Sequence, residues 1–168
     1  ATPLLASLLA WEAGDLAGAK GLLDRSLGIA PAFALPEYLS ALITLEDPDL
    51  PPGMDALRAR ERLGAALEKC RSLDLAAFRL ALLESDQGRE LQALETLEAL
   101  ERRRPGSFLW PHYAGRIQAS LGWEQEARFS QLRALQRMPD NPEVLARLFE
   151  LAIKLEAVAE QDQLAEQL

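Results

Sequence analysis

Residues 88–105 read GRELQALETLEALERRRP and residues 122–139 read GWEQEARFSQLRALQRMP, two stretches of equal length sharing a first glycine, a sixth alanine and a last proline. Gly88 and Gly122, Ala93 and Ala127, and Pro105 and Pro139 are thus 34 residues apart, and Ala59 precedes Ala93 by the same step. Upstream, Gly14, Ala19 and Pro31 stand 74 residues before Gly88, Ala93 and Pro105, which is 34 plus 40, so one unit carries six extra residues. Self-similarity at this period is the signature of stacked repeats, not of a domain built around one central core. The extra residues fall in Glu46-Asp47-Pro48-Asp49-Leu50-Pro51-Pro52-Gly53, where three prolines and a glycine mark a lengthened turn.

Each unit reads as two helices, with glycine in the tight turn between them and proline just past the second, which it cannot continue. The rest of the 168-residue chain agrees: 35 Leu and 28 Ala are strong helix formers, whereas Val, Ile and Thr together number nine, so a sheet protein is excluded. Ala19, Ala59, Ala93 and Ala127 sit early in the second helices, where a close crossing with the first leaves no room for a larger side chain. Four residues on, Leu23, Leu63 and Leu97 fill the interior, while Gln131 at that place in the fourth unit is expected to weaken its layer. The predicted units are 1–33, 34–73 with the insertion, 74–107, 108–141, and a partial unit over 142–168 in one continuous array. Unit 34–73 is the least regular, with no turn glycine and Arg71 in place of the closing proline. The last reads as a capping helix, apolar at Leu145, Leu148, Ala152 and Leu155 and then rich in Gln and Glu.

Charge and rare residues exclude several function classes. Eighteen basic against 26 acidic residues leave a net charge of −8, which opposes the counterion-release route to nucleic acid. One histidine and one cysteine, with neither HExxH nor CxxC, are too few for common zinc sites or catalytic triads, and no glycine-rich phosphate loop is present. No enzyme, metal site or cofactor is expected. Asp47 and Asp49 lack the regular spacing of a calcium loop. His112 and Cys70 read as structural residues, and Arg102, Arg103 and Arg104 as cations favoured at a helix C-terminus or as a grip on an acidic partner. No apolar run approaches the length of a membrane span. The start at Ala-Thr-Pro reads as a processed or excised piece. The expected location is the cytoplasm, tethered to the inner membrane through a segment outside this stretch, with the periplasm left open.

With its 34-residue unit, the alanine early in the second helix and the closing proline, the chain resembles the tetratricopeptide repeat family. Ala114-Gly115 and Leu80-Ala81 stand where the family carries Leu-Gly, and Glu84 and Gln118 replace its tyrosine. The resemblance implies an all-α, right-handed solenoid in which the first helices of successive units line a concave face. Laid on that pattern, the face comprises Leu4, Leu8 and Trp11, then Tyr38, Leu42 and Leu45, then Phe78, Leu82 and Ser85, then His112, Arg116 and Ala119, and finally Ala146, Glu150 and Ile153. It passes from apolar and aromatic to polar and charged.

Leu8, Trp11, Tyr38, Leu42, Phe78, Leu82, His112 and Arg116 are the candidate partner-binding residues, and the expected partner is a protein helix or extended peptide with apolar anchors. Relatives that clamp a chaperone's terminal carboxylate do so with Lys and Asn; here those positions hold Leu4, Tyr38, Phe78 and His112, so that clamp is absent. An Ala-, Leu- and Arg-rich composition with three lysines looks like that of a GC-rich bacterium. Bacterial relatives of this architecture serve envelope assemblies, including exopolysaccharide secretion and pilus systems, and the alternative expectation is an element that self-associates in such a machine.

Overall fold

In the computed structural model, residues 2–51 and 53–155 are described. Among them are nine helices and no strand: α1 (Pro3–Glu12), α2 (Leu16–Ile29), α3 (Ala34–Leu45), α4 (Met54–Lys69), α5 (Asp74–Asp86), α6 (Glu90–Arg103), α7 (Leu109–Ser120), α8 (Glu124–Arg137) and α9 (Pro142–Lys154). Every helix lies inside the repeat bounds that the period sets. By packing the chain divides into two compact units, Ala1–Leu83 and Glu84–Leu168, with the boundary inside α5.

The expected close crossings are present. Ala19, Ala59, Ala93 and Ala127 are each fully buried, as are Leu23, Leu63 and Leu97 one turn on. The hairpins α1–α2, α3–α4 and α7–α8 are each extensively packed. Gly88 and Gly122 adopt φ of 74° and 76°, the left-handed step that glycine takes without steric cost, and helices α6 and α8 start two residues later. Pro31, Pro105 and Pro139 each stand two residues beyond the end of α2, α6 and α8. Arg71 occupies the same place after α4, so the turn there forms without proline.

The second hairpin corrects one expectation. It does have a left-handed glycine: Gly53, at φ 83°, is the residue from which α4 starts. It lies six residues before the buried alanine Ala59, where the other turn glycines lie five before theirs, and so escapes a fixed-offset comparison. The lengthened turn is also anchored. The Asp47 carboxylate pairs with Lys20 on α2 and accepts from the Asp49 backbone N–H at 3.1 Å. Those two hydrogen bonds, the Lys20 one first, hold the Asp47 carboxyl below its ordinary value.

In the first unit the core runs from Ala19 and Leu23 through Leu39, Ala41 and Ile43 to Ala76 and Leu83. At its edge Glu37 on α3 accepts from Arg62 (2.8 Å) and Lys69 (2.7 Å), both on α4 and seven residues apart, hence on one face. Burial pushes the Glu37 carboxyl up, but the hydrogen bonds and charges of Lys69 and Arg62 outweigh it, so the group titrates below its usual range. In the second unit Arg137 on α8 donates to Glu101 on α6 (2.6 Å) and to the Ser107 carbonyl (3.1 Å), tying α8 across the turn that precedes α7.

The last described helix, α9, is capped by Asn141, whose side chain accepts from the N–H groups of Glu143 (3.0 Å) and Val144 (3.1 Å), with Pro142 in the first turn. Its apolar stripe is buried at Leu145, Leu148 and Ala152 and half-buried at Leu155, whereas the Gln- and Glu-rich sequence beyond Leu155 lies outside the described residues. No helix among the described residues is long and apolar enough to cross a membrane.

Two stability effects are expected. Ala93→Leu adds three heavy atoms at a site with no free space and should cost about 1–3 kcal/mol, read by urea denaturation. Because the folded-state pKa of Glu37 is depressed, its ion pairs stabilise the fold above the unfolded carboxylate pKa of about 4.3, and that contribution disappears as pH falls through the folded value. The drop in melting temperature from neutral pH to pH of about 3 should therefore be smaller in Glu37→Gln than in the wild type.

Candidate protein-binding surfaces

Two surfaces carry the predicted residues, one in each unit. In the first, Leu8 and Trp11 on α1 and Leu42 on α3 are half-buried and pack with one flank on the core. The Trp11 indole N–H donates to Glu46 at the end of α3 at 2.6 Å, which fixes the ring across the two first helices. Leu8, Trp11 and Glu12 line a hollow of about 350 Å³ that is mostly apolar. Phe78 and Leu82, on α5, are likewise half-buried. Tyr38 is not part of this surface: at 8% exposure it belongs to the core, against the expectation that it stands in the groove. The insertion opposite, with Asp47, Pro48 and Asp49, closes over Gly14 to Ala17 and Lys20 around a separate hollow of about 380 Å³.

In the second unit the expected pair separates. Arg116 is exposed, but His112 is 1% exposed and faces α8. Its Nδ1 meets Gln131 Oε1 at 2.9 Å, and Gln131 Nε2 donates back to the His112 carbonyl at 2.9 Å, which leaves Oε1 as the acceptor of an Nδ1–H donor. Gln131 therefore does not weaken its layer; it is a buried two-point bridge between α7 and α8. Close approach makes the bridge possible. A Cβ on Gly115 would lie 2.7 Å from Gln131 Nε2 and 3.0 Å from the Ala127 carbonyl oxygen, so glycine is required there by the neighbouring helix. His112 Nε2 lies 3.2 Å from Glu143 on α9 without a hydrogen bond, and the same Glu143 oxygen is 3.7 Å from Arg116.

Beside this bridge lies a cleft of about 320 Å³ between α7 and α9. Gly115, Arg116, Ala119 and Ser120 line one side, Arg147, Glu150, Leu151 and Lys154 the other, and Gln131 the base. Arg116 is packed over the Tyr113 ring, 5.0 Å from its centroid, and Arg147 pairs with Glu150 at 2.8 Å. Arg147 and Lys154 are absent from the sequence-derived face. The stripe on α9 that meets the cleft is 147, 150, 151 and 154, one residue round from the expected 146, 150 and 153. The repeating i, i+3, i+4, i+7 pattern was available in the sequence, but the rotation of the helix was not. Among the described residues no three His, Cys, Asp or Glu side chains are grouped to hold a metal ion.

Solved structures with this arrangement are numerous. MamA from Desulfovibrio magneticus RS-1 matches with a TM-score of 0.78 over 96% of this chain and 86% of its own, at 15% identity. PilF from Pseudomonas aeruginosa matches with a TM-score of 0.83 over 98% of this chain and 72% of its own, at 17% identity. YrrB, described as a tetratricopeptide-repeat protein with an unusual peptide-binding site, matches with a TM-score of 0.74 over 98% and 82%, at 13% identity. The fold is that of tetratricopeptide-repeat proteins. No family model matches the sequence, and no curated protein matches it. Within the tetratricopeptide pattern, Leu23, Leu63 and Leu97 occupy the place that Gln131 takes in the fourth repeat.

That difference is testable. Gln131→Leu restores the residue type of the other repeats yet strips the buried His112 Nδ1–H and carbonyl of their partner, and should destabilise the chain by about 1–3 kcal/mol in urea. A gain in stability would show that the bridge contributes nothing.

Proposed function

We propose that this chain is a non-enzymatic scaffold that holds a segment of a partner protein, a helix or an extended peptide, on the faces of its first helices. The observation that carries this reading is the apolar surface of the first unit. Trp11, fixed by Glu46, borders an open hollow with Leu8, and Leu42, Phe78 and Leu82 are half-buried in the same register of α3 and α5. Indole and phenyl side chains in such settings are the usual anchors of protein interfaces. A peptide-binding site in YrrB, which shares the fold, supports the reading. The setting we propose is a bacterial envelope complex, such as one for exopolysaccharide secretion, joined at the cytoplasmic side of the inner membrane.

A second reading is self-association, favoured by one observation. On α1, Leu5 and Leu9 are 53% and 57% exposed one turn apart, on a helix that is apolar nearly all round. A dilution series of molecular mass separates the two: a mass that falls on dilution supports assembly, and a constant monomer mass removes it.

For the partner itself, the expected result is that a protein captured from a lysate by the wild-type chain is lost with Trp11→Ala combined with Phe78→Ala, at unchanged helicity by circular dichroism. Each aromatic anchor contributes roughly 2 kcal/mol, enough to reduce affinity by more than tenfold. Equal capture by both forms would remove this surface from the interface.

A further inference from the structure

We propose that the cleft between α7 and α9 takes an acidic stretch of the partner, an extended segment bearing Asp or Glu side chains. This rests on the scaffold reading above and adds the chemistry of one contact. The first observation is a reversal of charge. The chain carries 26 acidic and 18 basic residues, yet of the nine residues lining this cleft three are Arg or Lys and one is Glu. Glu143 at the α7 edge offsets one further charge and leaves the cleft cationic in a protein of net charge −8. Local and global sign disagree, and that local excess would attract a carboxylate.

The geometry suits an extended chain. Arg147 and Lys154 are seven residues apart on α9, about 10.5 Å along the axis at 1.5 Å per residue. Three residues of a polyproline II segment make one turn and span about 9 Å at 3.1 Å per residue, so acidic side chains spaced by three leave the peptide on one side and meet both cations. Arg116 stands on the opposite rim. Its guanidinium is seated on Tyr113 and meets Glu143 at 3.7 Å, beyond hydrogen-bond distance, so a carboxylate entering the cleft can form the bidentate contact that Glu143 does not. Between the rims, Gly115 and Ala119 project little or nothing into the space, and Gln131 is held down by His112, so a peptide backbone can approach the floor.

The other cationic hollow does not share this character. In the first unit's hollow of about 340 Å³ the cations Lys20, Arg58 and Arg62 face four carboxylates, Asp24 and Glu61 in the lining and Asp47 and Glu37 paired with Lys20 and Arg62, whereas the three cations of the α7–α9 cleft face two, Glu150 and Glu143.

The test uses the full chain and two fluorescein-labelled peptides, one repeating Glu-Ala-Ala and one repeating Gln-Ala-Ala, with binding read by anisotropy at about 50 and 200 mM salt. The glutamate peptide should bind at least tenfold more tightly than the glutamine peptide, and less tightly at the higher salt. Arg147→Glu with Lys154→Glu should abolish that preference at unchanged helicity. Arg60→Glu with Arg102→Glu, an equal change of charge at exposed positions outside the cleft, should preserve it. Equal binding of the two peptides, no binding of either, or equal losses from both double variants would overturn the proposal. So would a single-stranded oligonucleotide that binds as tightly as the glutamate peptide with the same dependence on Arg147 and Lys154, since the cleft would then prefer no protein segment. Loss of partner capture with Trp11→Ala and Phe78→Ala while the peptides do not discriminate would leave the scaffold reading standing and remove this one alone.

Discussion

The close crossing of two helices, repeated at Ala19, Ala59, Ala93 and Ala127, is the constraint on which the rest of this structure depends. A fully buried methyl group at each crossing lets the second helix sit against the first. Only then do the leucines one turn on become interior residues and the first-helix faces become free for contact. At Gly115 even a methyl group on the facing helix is excluded, and the layer holds a hydrogen-bonded pair instead of apolar volume. In that layer a hydrogen-bonded pair stands where three other repeats bury a leucine, beside a glycine whose Cβ the facing helix would not admit.

Charge supplements that packing between elements distant in the chain. Glu37 joins α3 to the middle and the C-terminal end of one face of α4, Arg137 joins α8 to α6 and to the turn before α7, and Asp47 brings the lengthened turn back to α2. Glu37 lies between Arg62 and Lys69, Glu101 between Arg133 and Arg137, and Asp47 against Lys20 alone; all three carboxylates are little exposed, so these pairs are less screened than surface bridges such as Arg102 with Glu98. The chain's excess of acid does not prevent this, because the few lysines and arginines that reach an acidic partner are used at the joins.

Repeat length, helix order and the buried alanines were legible in the sequence because they follow from spacing alone. The turn glycine of the second hairpin was not, since the insertion moved Gly53 by one residue relative to Ala59 and broke the offset by which the others are recognised. Site residues were legible only by face. A stripe fixes the direction in which a side chain leaves its helix to within a broad arc, and Tyr38 and His112 lie at the part of that arc that turns toward a neighbouring helix. The polar partner that draws His112 inward is nineteen residues away in the next helix, and nothing within α7 announces it. Arg147 and Lys154 escaped because the stripe assigned to α9, residues 146, 150 and 153, lies one residue round from the one that its packing turns toward the cleft.

The bridge between His112 and Gln131 also makes the protein its own reporter. The chain has a single histidine, and the structure places it almost wholly out of water at the α7–α8 contact. Reagents that modify imidazole, and deuterium exchange at its ring carbon, therefore encounter it only during excursions in which that hairpin opens. The rate of a one-site chemical reaction would then measure how often the second unit breathes, with no label introduced and no competing signal from elsewhere in the chain.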